Sequence, residues 1–396
     1  MYFSSLMQRS LDQKLAALHA APQTSREFIL ADAKDADMAF GLAAPGRSPE
    51  HHAHEARFRT LAEYRQLMRE IVRQGLVDIM LMSASSSEVL TIQERFFDNS
   101  HVTPAIRAND TTDIWLAGRG GRYSSQPSRP FRTATIDHAQ CGKQQCEPHE
   151  RGLGVDLGLY SVTFNNDTEL DRQTLEAYKA FRLEAEAKGF RHFLEMFDPN
   201  APGEHAPKDV AQFANDQIAR TLAGVTRSGR PLFLKIVYHG PAAMEALAAY
   251  DRNLVVGILG GSAGTSFDAF HMLWEAKKYG ARVALYGRKI NNAEDQLTFI
   301  KYLRAVADDQ IGPQEAVRAY HGDLGRLGIR AYRSLEEDLQ QTETAAAYSG
   351  STAAVAKPAQ RPAIAAAVAA GQPDFSTMSN AEKAQWNLNR WKRIIG

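Results

Sequence analysis

PLFLKIVYHG (231–240), NLVVGILGG (253–261) and ARVALYGRKI (281–290) are three short apolar runs that each end in glycine or polar residues. Helix-periodic stretches at 242–250 and 267–279 separate them. A strand, a helix and a strand again, repeated, imply parallel pairing through right-handed crossovers. Working toward the N-terminus, RHFLEMFDPN (191–200) and VDLGLYSVTFNND (155–167) continue the alternation, with helix patterns at 175–187 and 211–225. FRTATIDHA (131–139), VTPAIRAND (102–110) and VDIMLMS (77–83) bring the candidate strands to eight, and a further helix pattern covers 296–307. Eight such units over roughly 250 residues match the size of a (β/α)8 TIM barrel. A doubly wound open sheet is the alternative. Polar residues gather at the C-terminal ends of the runs (Asn109, Asp110, Asp137, Asn165, Asp198, His239, Arg288), where such barrels keep their active sites, and this favours the barrel.

Outward from this core, Leu61, Tyr64, Leu67, Met68, Ile71 and Val72 fall on one helical face that Gly75 ends. The barrel is therefore expected over 61–335. Residues 1–60 read as an N-terminal extension, with a short amphipathic stretch at 6–18 and then Pro, Gly and His clusters including His51, His52 and His54. Residues 336–376 are rich in Ala and Pro and read as a linker, and 377–396 as an amphipathic helix. Ser379 and Glu382 have capping-box spacing there, followed by Ala384, Leu388, Trp391 and Ile395 on one face. That helix can dock on its own barrel or on a neighbouring subunit.

The 396 residues carry 46 basic and 46 acidic side chains, so no global field steers nucleic acid or an anionic membrane. No apolar run approaches the ~20 residues needed to cross a bilayer, and the N-terminus lacks a secretory pattern. A soluble, cytoplasmic protein with no membrane or nucleic-acid partner is the expectation. The two cysteines, Cys141 and Cys146, are too few for a secreted disulfide framework, which points to a reducing compartment.

Lys235 lies inside an apolar strand, where an ammonium is costly unless paired or functional. Burial disfavours its charged form, and a neutral amine can attack a carbonyl to give a Schiff base. The plainer alternative is a strand-end lysine reaching solvent or a carboxylate. Beyond it, Gly260, Gly261 and Gly264 lie between a strand and a helix that opens near Ser266, whose free N–H groups would favour an anion. Gly287 and Arg288 end the next strand, and together these residues form a candidate phosphate site. Glu195 interrupts the apolar HFLEMF and must face a cation or the barrel mouth. Lys235 on the next strand is its expected partner, as an ion pair or as a proton relay.

FLEMF with Glu195, FLKIVYHG with Lys235, the GILGGSAGTSFDAF turn and ALYGRKI with Gly287 and Arg288 resemble the class I, Schiff-base aldolases. That group includes tagatose-bisphosphate, deoxyribose-phosphate and small-barrel fructose-bisphosphate aldolases. The resemblance covers about residues 155–300 and implies a Schiff-base Lys235 on strand six. It further implies a substrate phosphate on Gly260, Gly261, Gly287 and Arg288, proton transfer by Glu195, a sugar-phosphate substrate and a homo-oligomer. It suggests Tyr160 on strand four as proton donor and Asp137, ending strand three, as an assistant to the lysine; packing and loop capping are the plainer readings of these two. The chain departs from the tagatose-type pattern, which has a lysine within strand four and Asp-Gln-Arg ending strand one, where this sequence has GLYSVTF and LMSASSS.

His138, Cys141, Cys146 and His149 have the ligand types of a zinc site within one polar loop, although an insertion loop with incidental Cys and His is the plainer reading. The expected function is a carbon–carbon lyase needing no cofactor. Transaldolase or acyl-transfer chemistry on the same lysine, a zinc-dependent lyase or isomerase, and a non-catalytic sugar-phosphate binder remain as alternatives.

Overall fold

A computed structural model describes residues 8–46, 58–115, 122–261 and 264–343, with seven more between 378 and 386. Eight parallel strands close into a barrel: β1 (Ile29–Lys34), β2 (Ile79–Met82), β3 (Thr103–Arg107), β4 (Leu157–Thr163), β5 (Arg191–Phe197), β6 (Leu234–Ile236), β7 (Gly257–Leu259) and β8 (Val283–Tyr286). The ring closes where β1 meets β8, with Ile29 opposite Val283. Helices including Leu61–Gln74, Thr168–Ala187, Val210–Ala223, Pro241–Tyr250, Ser266–Lys278 and Gln296–Ala307 connect the strands on the outside. This is the expected (β/α)8 barrel.

Its membership differs from the expectation at two places that cancel in the count. Residues 131–139 do not form a barrel strand: Pro130–Phe131 pairs antiparallel with Asp110–Thr111, and Ile136–Cys141 is helical. Thr135 caps that helix by accepting from the His138 N–H, so the apparent alternation in TATIDHA is a helix start. The missing strand is β1, which lies within the presumed extension. Its alternation is hard to see because the inward residues Ala31 and Ala33 are small, whereas the outward residues Asp32 and Lys34 are charged.

Both outward charges are fully buried beneath the flanking helices. Lys34 Nζ lies 3.1 Å from Asp32 Oδ2 and donates to Asn291 Oδ1 (2.5 Å) and Gln296 Oε1 (2.8 Å). Burial pushes the Asp32 carboxyl up to about 6 and Lys34 down, because desolvation penalises each charged form more than the pairing favours it.

The N-terminal helix Ser10–Ala20 is also part of the barrel. Leu11, Leu15 and Leu18 pack among Ile29, Ile79, Leu157 and Phe193 and seal the amino-terminal end. At about 1.5–3 kcal/mol for each fully buried leucine, this seal is a substantial part of the core. Arg9 Nη1 ties the helix entry to the carbonyls of Phe97 (2.8 Å) and Val102 (3.0 Å).

At the other end of the chain, helix Leu335–Asp338 and the residues to Glu343 pack against the start of Ser266–Lys278, so ordered chain runs into the expected linker. By contacts the chain separates into units Met1–Ala354 and Val355–Gly396. In the second unit the Ser379–Glu382 capping box forms, with the Ser379 N–H donating to Glu382 Oε2 at 2.7 Å. Ala384, Leu388, Trp391 and Ile395 lie outside the described residues, as do His51, His52 and His54. Among the described residues no helix is long and apolar enough to cross a membrane.

Candidate active site

Residues alternate in and out along each strand, so an inward apolar residue is followed two positions later by the next inward one. On β3 the step runs from Ala105 to Arg107, on β4 from Leu159 to Ser161, on β5 from Phe193 to Glu195, and from Phe233, just before β6, to Lys235 within it. Cross-strand register places Ser161 beside Glu195 and Glu195 beside Lys235. The inner wall thus changes from hydrocarbon to charge at one level.

Glu195 is 1% exposed and Lys235 7%. Lys235 Nζ lies 2.5 Å from Glu195 Oε1, while Glu195 Oε2 accepts from Ser161 Oγ at 2.6 Å and has Arg107 Nη2 at 3.6 Å. Arg107 Nη1 donates to Ser161 Oγ (3.1 Å), and its Nε donates to Asp35 Oδ2 (2.5 Å). A guanidinium can only donate, so the one hydroxyl hydrogen of Ser161 is committed to Glu195. Asn109 clamps the Ser161 backbone from both sides, Oδ1 accepting its N–H at 2.6 Å and Nδ2 donating to its carbonyl at 2.8 Å. Both oxygens of the buried carboxylate are therefore held, one against the lysine.

A cavity at the carboxy-terminal end is lined by Lys235, Glu195, Arg107 and Asp35 together with Gly260, Gly261, Gly287 and Arg288. The Arg288 guanidinium lies 5.2 Å from the centre of the Phe40 ring, another lining residue, an arrangement that favours a cation over an aromatic face. A side chain at residue 260 would come within 2.1 Å of the Tyr286 ring, and one at 287 within 2.8 Å of the Ala33 carbonyl. Packing of the barrel wall thus already requires these two glycines.

At the helix end expected to offer free N–H groups, three are already engaged. The Thr265 N–H donates to Asp268 (2.7 Å), the Asp268 N–H to Thr265 Oγ1 (3.1 Å) and the Ser266 N–H to Asp338 (2.7 Å). A carboxylate from helix Leu335–Asp338 occupies the place assigned to an anion.

The expected proton donor and the expected assistant to the lysine lie elsewhere. Tyr160 occupies the outward register of β4, its ring centre 4.5 Å from that of Phe181 and 5.1 Å from that of Tyr178, and burial pushes its hydroxyl pKa upward. Asp137 is on the Ile136–Cys141 helix, paired with Lys188 at 2.5 Å. Lys188 immediately follows Thr168–Ala187 and leads into β5, so this pair belongs to the amino-terminal side of the barrel.

The expected zinc cluster is corrected too. Cys141 and Cys146 form a disulfide, which removes both thiolates, and His138 and His149 are exposed. Among the described residues no group of three or more His, Cys, Asp or Glu side chains could hold a metal ion.

Asp35, Arg107 and Ser161 were not anticipated from the sequence. Arg107 carried the same signal as Lys235, a cation inside an apolar run. Asp35 was hidden because β1, which it directly follows, was missed; LMSASSS begins in β2.

No family model matches the sequence, and no curated protein matches it. By structure the chain is similar to an archaeal fructose 1,6-bisphosphate aldolase, at 15% identity and a TM-score of 0.51, over 76% of this chain and 100% of that one. A structure of a Schiff base forming fructose-1,6-bisphosphate aldolase aligns at 16% identity and a TM-score of 0.51, over the same shares of the two chains. The carboxyl transferase domain of Rhizobium etli pyruvate carboxylase overlaps more loosely, at 10% identity and a TM-score of 0.43, over 88% of this chain and 55% of that one. The likeness to the aldolases is one of fold.

Proposed function

We propose that the protein is a class I aldolase-type lyase acting on a small phosphorylated carbonyl compound through a Schiff base on Lys235. The observation that carries this reading is the 2.5 Å contact between Lys235 Nζ and Glu195 Oε1, inside a cavity that Arg288 also lines. Glu195 takes a proton from Nζ, and the freed amine attacks the substrate carbonyl carbon to give a carbinolamine. Glu195 returns the proton to the departing oxygen, which leaves as water, and an iminium remains. The iminium then accepts the electron pair of the adjacent carbon–carbon bond as it breaks, while a carboxylate removes the hydroxyl proton of the leaving aldehyde. Asp35 and Glu195 both line the cavity and are the groups placed for that step; Tyr160 and Asp137 are not. Arg288 and the backbone at Gly260, Gly261 and Gly287 would hold the phosphate. Transaldolase or acyl-transfer chemistry uses the same iminium and differs only in the acceptor.

The test is borohydride reduction in the presence of keto and aldehyde phosphates, followed by peptide mass spectrometry. The expected result is a stable adduct on Lys235. Turnover of any of these phosphates without such an adduct would overturn the reading.

A further inference from the structure

A second cavity, of about 280 Å³, lies at the amino-terminal face of the barrel, at the other end of the strands from the one that holds Lys235. Its walls are helix Thr168–Ala187, the turn at 227–230 and the residues that lead into β5 and β6. Among the described residues, four arginines line it, Arg182, Arg191, Arg227 and Arg230, against one carboxylate, Glu186. In a chain whose 46 basic and 46 acidic residues balance, this is a local concentration of positive charge. A concave surface of one sign draws an ion of the other.

The four arginines fall into two pairs. Arg191 forks onto Asp156, Nε at 2.8 Å and Nη2 at 3.1 Å, and reaches Asp12 at 2.5 Å, while Arg230 holds Asp251 at 2.7 Å. These three carboxylates stand behind the lining rather than on it. Arg182 and Arg227, by contrast, make no ion pair and no side-chain hydrogen bond among the described residues, and neither does Glu186. Arg182 is half-buried and fixed in place, its guanidinium 5.2 Å from the centre of the Tyr178 ring and its Nε sealed from solvent without a partner. A side chain at residue 229 would come within 3.0 Å of Arg182 Nη1, so Gly229 lets the turn that carries Arg227 approach it. Two uncommitted guanidiniums thus converge from a helix and a turn, and burial has already removed part of the water that would otherwise solvate one of them.

We propose that this cavity is a binding site for the phosphate group of a small anion, inorganic phosphate or a phosphorylated metabolite, held between Arg182 and Arg227. A guanidinium fork binds two phosphate oxygens at once, and two forks from separate elements suit a tetrahedral anion better than a flat carboxylate. A phosphate monoester carries about −1.5 to −2 near neutral pH, enough to engage both cations while Glu186 opposes it. The volume exceeds what a bare phosphate fills, which leaves room for a short organic portion. Occupancy does not depend on Schiff-base chemistry at Lys235.

The test is isothermal titration calorimetry of the full-length protein, in a buffer free of phosphate, with inorganic phosphate and with glycerol 3-phosphate. Neither probe has a carbonyl, so neither reacts with Lys235. The parent should bind one more equivalent of anion than Arg182→Gln/Arg227→Gln, any binding at the barrel mouth being common to both. Each single substitution should weaken that equivalent by about tenfold or more, since each removes charge-assisted hydrogen bonds. Glu186→Gln should tighten it by about threefold, because a like charge is removed. Arg227 is exposed on a turn, so Arg227→Gln keeps the test open if Arg182→Gln disturbs the packing on Tyr178. Tighter binding of glycerol 3-phosphate would identify a phosphorylated metabolite as the source of the group, and tighter binding of inorganic phosphate the free anion.

Equal numbers of bound anions in the parent and the double variant would overturn the proposal, as would a parent that binds neither probe saturably in the millimolar range. Weaker binding in Glu186→Gln would also overturn it, because a carboxylate that helps the anion to bind cannot be the like charge lining this cavity.

Discussion

The two ends of the barrel use the same eight strands and differ by a step of two residues. At the amino-terminal end, the Ser10–Ala20 helix presses Leu11, Leu15 and Leu18 onto an interior of Ile, Leu, Val and stacked phenylalanines, Phe193 over Phe233 at 4.5 Å. Two residues farther along, β3 to β6 present Arg107, Ser161, Glu195 and Lys235. The first end gains from every methylene it hides. The second keeps buried charges that a packed hydrocarbon layer of similar volume would often replace without loss of stability. Strand alternation lets one short element serve both purposes, so substitutions should separate the two ends into stability and chemistry.

The largest expected effect is at the charged end. Lys235→Ala removes the only amine in contact with Glu195 among the described residues, and both adduct formation and turnover should fall to background, read by borohydride trapping and product assay. Glu195→Gln should lower kcat by about 10²–10⁴-fold, the usual contribution of a positioned proton carrier, with the protein still folded by circular dichroism. At the sealed end the pattern reverses: Leu15→Ala should cost about 2–5 kcal/mol in a urea titration while the folded protein still labels on Lys235. A loss of labelling in folded Leu15→Ala, or a full loss of folding in Glu195→Gln, would break the division between the ends.

Two smaller effects test the regions between and beside them. Replacing both Cys141 and Cys146 by serine should cost about 2 kcal/mol, as expected for a bridge closing so short a loop, with Lys235 labelling unchanged. In the barrel wall, His192 is buried against the Tyr178 hydroxyl (2.8 Å), and desolvation lowers its pKa to about 3. The folded imidazole therefore stays neutral where the unfolded one, near 6.5, binds a proton, so stability falls as pH drops from about 6.5 toward 3. At pH 5.5 the loss from this residue is about 1 kcal/mol, and His192→Gln should remove it, measured as a flatter dependence of the urea midpoint on pH.

The sequence made much of the carboxy-terminal half legible, because β4 to β8 are apolar runs broken by helices of clear period. Lys235 and Glu195 stood out as charges in hydrocarbon, and their strand-to-strand contact followed from adjacency. β1 was obscured because its charges face outward into a buried layer, the reverse of the usual alternation. The apparent strand at 131–139 was a capped helix start, which local patterning at this length does not distinguish from a strand. Two cysteines in a polar loop read as reduced thiols or metal ligands rather than a bridge, and the fold corrects this by bringing Cys141 and Cys146 into a disulfide. The helix at Ser266 had the composition of an anion site, but Asp338, some seventy positions away, fills it.

Closure of the ring through β1 and β8 has a consequence for how the chain reaches this structure. Ile29 cannot find Val283 until all the other barrel strands have been synthesised, so every earlier stage carries an unpaired strand edge on both sides of a growing sheet. Contacts this far apart in sequence slow folding and prolong the life of sticky intermediates. The leucine-bearing helix is made before any barrel strand, yet its socket is completed last. During biogenesis the leucines of segment 10–20 therefore wait for the last strands, and their disappearance from solvent marks the moment the barrel is finished.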